Sequence, residues 1–171
     1  MNRTASSEWQ TTLKNIISTA NADSKVALVG VGHPLRGDDY VGSYVAKKLL
    51  HKNQSTHIRL FDAERGVEAI ISKIQRFKPK QTLFIDACHM NLPAGTVRMI
   101  PAESTDYPFF TTHSLPLRLL IKQFLRESEC WVLAIEPKQI EIGDRLSSTI
   151  HRVADSIITL IGSMMETPQY V

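Results

Sequence analysis

Cysteine is scarce. Cys88 and Cys130 are the two in 171 residues, too few for a disulfide framework, and both fall in or beside strand-like runs, so they read as reduced thiols. Long hydrophobic runs are missing as well: nothing approaches the roughly 18 consecutive apolar residues of a transmembrane helix, and no membrane insertion is expected. The first residues carry Glu8 and lack the apolar run of about 7 to 15 residues of a secretory signal, which makes a cytoplasmic protein the expectation. Neither sign of charge dominates. Lys and Arg number 20 against 17 Asp and Glu, a net +3 scattered singly, so there is no basic stripe for nucleic acid. The sequence also lacks H-E-x-x-H, G-x-S-x-G and C-x-x-C, which removes zincin, serine-hydrolase and paired-cysteine chemistry.

What is present is ordinary for a globular chain: 43% hydrophobic and 22% charged residues, in a length that suits about one domain and can bury roughly 70% of its unfolded surface. The organising stretch is VALVGVGHPLRGDDYVGSYVAKKLL, from Val26 to Leu50. Val26 to Val29 is a short continuous apolar run, the pattern of a strand covered on both faces. Gly30 and Gly32 allow a tight turn, and Val41, Tyr44, Val45, Ala46, Leu49 and Leu50 then recur on one face of a helix beginning near Asp39.

This turn departs from both familiar phosphate-binding patterns. A dinucleotide fingerprint needs a third glycine where Leu35 stands, and a phosphate loop needs Lys and Ser or Thr where Asp38 and Asp39 stand. A helix N-terminus favours anions. Two carboxylates there take the phosphate's place and offer oxygen ligands to a cation, which disfavours a flavin or nucleotide binder on the same scaffold.

Strands are predicted at Ile58 to Phe61, Thr82 to Ala87, Thr96 to Ile100 and Trp131 to Ile135. Helical stripes are predicted at Val67, Ile70, Ile71, Ile74 and Phe77; at Leu115, Leu119, Leu120 and Phe124 after His113-Ser114; and at Ile150, Val153, Ala154, Ile157, Ile161 and Met164 with Ser147 or Ser148 as cap. Alternating strands and helices imply parallel pairing with crossovers. The connection from Ala87 to Thr96 is too short for a parallel crossover, so that fourth strand should run antiparallel at an edge. The fold class expected is α/β: a single three-layer domain, a five-stranded mostly parallel twisted sheet with one antiparallel edge strand, and helices on both faces. Residues 1–24 read as an N-terminal amphipathic helix extension with Trp9, Leu13, Ile16 and Ile17 on one face and Ser6 or Ser7 as cap. Residues 25–165 form the α/β domain, and 166–171 read as a frayed tail.

Ligands of open α/β sheets bind beyond the carboxyl ends of the strands, where strand order reverses. Asp39 follows the first strand, Asp86 closes the third, and His113 ends the long loop before a helix. Two hard carboxylate oxygens and one imidazole leave coordination positions open, which suits a nickel, zinc or manganese class of ion that also meets water or substrate. Taken singly, Asp38 and Asp39 read as caps or turn formers, Asp86 as a turn former and His113 as a helix-start residue. His33, Arg36, Cys88 and His89 fall near the same edge, and Cys88-His89 lacks an orienting partner at fixed spacing that would mark a nucleophile.

GVGHPLRGDDYVG, then LFIDACHM followed by PAGTVRMIP, then TTHSLPLRLLIKQF resemble, in order and spacing, the NiFe-hydrogenase maturation endopeptidase family. The resemblance runs from about Val26 to about Leu160. It implies a hydrolase that removes a C-terminal segment of a hydrogenase large-subunit precursor after nickel insertion. The nickel is supplied by that precursor, serves recognition and is a candidate for catalysis. It also implies Asp39, Asp86 and His113 as both metal-binding and catalytic residues, the triplet already reached from ligand chemistry. The alternative is a metal-binding maturation chaperone that does not cut. Asp38 then reads as cap and outer support. The family's loop has Asn where this chain has His33 and Gly where it has Tyr40, so His33 and Tyr40 join Arg36, Cys88 and His89 as candidates for contacting substrate or supporting the ligands.

Overall fold

The apolar run at Val26 extends two residues further than its pattern predicts. In the computed structural model, which describes residues 3–52, 55–64, 66–103, 117–143 and 145–165, β1 spans Val26–Val31 and every residue of it is buried. It continues through Gly30 because a helix lies directly on it. A Cβ on Gly30 would sit 2.1 Å from the carbonyl oxygen of Gly42, and a Cβ on Gly42 would sit 1.8 Å from that of Ile85. These two glycines bring α2 (Val41–Leu50) against β1 and β3 (Gln81–Ala87), closer than any side chain would permit.

The remaining described elements are α1 (Arg3–Ser18), β2 (Ile58–Ala63), α3 (Ile71–Phe77), β4 (Val97–Pro101), α4 (Leu117–Phe124), β5 (Glu129–Ile135) and α5 (Ser148–Met165). They form a five-stranded sheet ordered β2-β1-β3-β5-β4. β1 pairs parallel with β2 and with β3, and β3 with β5. β4 runs antiparallel to β5, with Val97 opposite Ile135, as the short connection requires.

Alternate residues of the central strands face two cores. Leu28, Leu83, Ile85, Leu133 and Ile135 pack with α1, α2 and α5; Val29, Phe84, Val132 and Ala134 pack with α3 and α4. The helix within 1–24 belongs to the first core: Trp9, Leu13, Ile16 and Ile17 are buried, and α1 packs on β4 and α5.

Local expectations shift in four places. α1 begins at Arg3, ahead of the Ser6 or Ser7 cap, since a good capping residue permits a helix start without compelling one. The Val67 stripe is split into a 3-10 turn (Val67–Ala69) and α3 at Ile70, whose φ of −121° is not helical. On α4 the inward face is Leu117, Leu120 and Ile121, and Leu119 is exposed; on α2, Leu50 is exposed too. A stripe read from spacing alone cannot fix which edge of the face reaches the sheet. α5 starts at Ser148 with Ser147 Oγ accepting from the Ile150 amide at 3.4 Å, the cap expected. His113, the loop before it and the tail at 166–171 lie outside the described residues. Among the described residues no helix is long and apolar enough to cross a membrane.

Candidate active site

The turn after β1 folds back on its own acid. Gly32 has φ +133°, and a Cβ there would sit 1.7 Å from the Asp39 carbonyl oxygen, so only glycine lets the chain close. The Arg36 amide donates to the His33 carbonyl at 3.1 Å and the Asp39 amide to the Arg36 carbonyl at 3.1 Å. The His33 amide donates to Asp39 Oδ2 at 2.9 Å. Asp39 is thereby buried and fixed at the carboxyl end of β1.

Asp38 and Asp39 share a 3-10 turn (Gly37–Tyr40), but neither caps a helix: the positions preceding this turn and α2 are Arg36 and Tyr40, without side-chain cap bonds. Asp38 points away and is fully buried. Its Oδ2 accepts from the amides of Lys138 (2.9 Å) and Gln139 (3.0 Å) and from Ser147 Oγ (2.9 Å), and its Oδ1 from the Ser147 amide (2.6 Å). The Asp38 amide completes the link to the Gln139 carbonyl at 2.8 Å. The capping expectation for Asp38 is corrected accordingly. The carboxylate ties the turn after β1 to the loop between β5 and α5, because a buried charge needs several donors and its own helix start offers none in reach.

Asp86 stands in β3, buried, with Oδ2 lacking any hydrogen-bond partner. Burial pushes its carboxyl well above the ordinary range, the negative charge of Asp39 pushes it further, and a bond from the Ala87 amide pulls the other way. β1 and β3 are parallel neighbours, so both acids reach the same edge of the sheet. Chain order reverses between these strands, with β2 on one side and β5 on the other, which is where such sheets bind ligands. Among the described residues no third His, Cys, Asp or Glu joins them as a metal-ligating cluster.

The structure distributes the other candidates unevenly. Cys88 is buried, and burial, then Asp86, Glu136 and Asp39, push its thiol far up, opposite to what a nucleophile needs. Half-exposed His89 places Nδ1 3.6 Å from Glu136 Oε1. His33 Nδ1 accepts from the Leu35 amide at 3.2 Å. Tyr40 turns toward α2, edge-on to Tyr44 with ring centres 6.0 Å apart and with Lys47 Nζ 5.3 Å from its centroid. Arg36 Nε is buried without a partner.

Glu136 is a residue that sequence reasoning missed. Its buried carboxylate accepts from the amides of Met90 (2.7 Å) and Leu92 (3.2 Å), fixing the segment that leaves Asp86. The available signal was an acid at the carboxyl end of an apolar strand, the pattern that singled out Asp86.

No protein-family model matches the chain. Among curated proteins it is 28% identical over 152 residues, covering 78% of this chain and 90% of the relative, to a proposed hydrogenase maturation protease of Methanocaldococcus jannaschii. It is 31% identical over 112 residues, 64% of this chain and 71% of the relative, to the hydrogenase 3 maturation protease of Escherichia coli. Among solved structures, the NiFe-hydrogenase maturation protease HycI of Thermococcus kodakarensis superposes with a TM-score of 0.81 at 23% identity, over 91% of this chain and 99% of that one. A hydrogenase 3 maturation protease gives 0.68 at 25% identity, over 81% and 90%.

Proposed function

Because the chain belongs to the hydrogenase maturation protease family, we propose that it is the endopeptidase that removes a C-terminal segment from a NiFe-hydrogenase large-subunit precursor once nickel has been inserted. The nickel arrives in the substrate and meets Asp39, Asp86 and His113. The observation that carries this reading is the unpartnered Oδ2 of Asp86, buried beside a second acid at the strand-order reversal. Burial and then the charge of Asp39 hold the Asp86 carboxyl toward its protonated form. A divalent cation brought by the substrate reverses that balance: it supplies the missing positive charge and draws off the proton held at Asp86. Asp39, held by the His33 amide, is already aligned to ligate.

In this reading the ion serves recognition first, since an empty precursor offers nothing to offset the paired acids, and as a Lewis acid it polarises the scissile carbonyl. The test mixes purified protein with nickel-loaded and nickel-free precursor and follows the mass of each. Loss of a C-terminal segment from the loaded form alone is the expected result. Binding without a mass change would overturn the protease reading in favour of a maturation chaperone. Asp39→Ala and His113→Ala should each abolish cleavage, and normal shortening by either would remove that residue from the site.

A further inference from the structure

Two loops meet beside the carboxylate pair: the turn after β1 and, between β5 and α5, residues 138–143 and 145–147. Asp38 locks them together through its four acceptor contacts, and the Gly143 amide donates to the Leu35 carbonyl at 2.8 Å. On this pinned platform Leu35 is 61% and Ile142 is 82% exposed, one on each side of that backbone bond. The other large aliphatics so exposed among the described residues, Leu50 and Leu119, stand singly on α2 and α4, which is ordinary for a protein surface. Leu35 and Ile142 differ in flanking one backbone hydrogen bond between two loops that the buried Asp38 carboxylate ties together. Arg36, next to Leu35, keeps a buried Nε–H without an acceptor.

We propose that Leu35, Arg36 and Ile142 form the docking face for an extended aliphatic segment of the large-subunit precursor, a reading that rests on the processing activity above. Position argues for this occupant. Leu35 and Arg36 lie on the same turn as Asp39, so a chain that brings its metal centre to Asp39 and Asp86 also covers them. Its chemistry follows from the face. Aliphatic side chains of the segment cover Leu35 and Ile142, and one of its backbone carbonyls accepts from the guanidinium of the partly exposed Arg36. Apolar anchors held rigid before binding lose little entropy on association, which is the arrangement of an interface hot spot.

The experiment compares the intact protein with Leu35→Ser, Ile142→Ser, the double variant and Arg36→Lys, with Leu50→Ser as a control at the far end of α2. Nickel-loaded precursor is the probe; Kd, kcat, KM and the melting temperature are measured. The double variant is expected to raise Kd and KM roughly tenfold or more while kcat and melting stay near those of the parent. Arg36→Lys, which keeps the charge and loses the planar guanidinium fork, should move KM in the same direction. Leu50→Ser should change none of the four. Parent-like Kd and KM in the double variant would overturn the docking face and leave the protease reading standing. A parent protein that binds precursor without cutting it, with binding lost in the double variant, would keep the docking face and overturn the protease. A parent that neither binds nor cuts overturns both.

Discussion

Asp86 sits in β3 with one oxygen lacking a donor and with the charge of Asp39 beside it, and this sets a pH dependence. Its native pKa lies above that of the unfolded chain, near 3.9, so in that window the folded state holds a proton that the unfolded state has released. Stability from this group therefore falls as pH rises through the unfolded value, and the loss is complete above the native one. Asp86→Asn should melt higher than the parent at neutral pH, with the advantage vanishing toward pH 3, while processing is lost. Thermal melts across pH check the first part; an unchanged or lower melting temperature at pH 7 would contradict it. Asp38 differs in its partners, because four donors satisfy its carboxylate. Asp38→Ala strands those donors and should cost about 3 kcal/mol or more, read as a lower urea midpoint with an unchanged slope. Sequence marked both acids of the Asp38-Asp39 pair and assigned Asp39 as ligand and Asp38 as cap and outer support. It did not find what Asp38 holds, because those donors come from Lys138, Gln139 and Ser147, about a hundred positions further along the chain.

At the scale of elements, the site depends on how closely α2 lies on the sheet. Gly42 makes that approach possible against the Ile85 carbonyl, and backbone cannot yield as a flexible side chain would. Gly42→Ala should cost about 1–3 kcal/mol and displace the start of α2, so that kcat for precursor cleavage falls along with the melting temperature. A fully active, equally stable variant would show that the contact is dispensable. The antiparallel β4 was legible because nine or so residues cannot make a parallel crossover. The precise inward faces of α2 and α4 were not: helical periodicity locates a stripe, while its rotation is set by the strand side chains beneath it.

For the whole molecule, α1 completes the first core, although it precedes the stretch that resembles the family. Leu13 is buried against the cluster shared with α5 and the sheet. Leu13→Ala should destabilise the fold by about 2–5 kcal/mol, measured by chemical denaturation. A loss below 1 kcal/mol would mean that α1 is an appendage. Since α1 lies on β4 and α5, the expected effect on KM for precursor is small where the protein remains folded.

The sequence by itself determined the α/β class, the parallel pairing, the edge strand and the acids at the strand ends, because each follows from local spacing: apolar runs, helical stripes and the minimum length of a crossover. Tertiary structure alone decided that Asp39 and Asp86 are both buried at their shared edge, that Asp38 serves as a clasp between loops, that Glu136 holds the segment leaving Asp86, and that burial pushes the Cys88 thiol up. Those properties depend on burial and on partners distant in the chain, and no local pattern encodes the distance between two groups that only the closed sheet brings together.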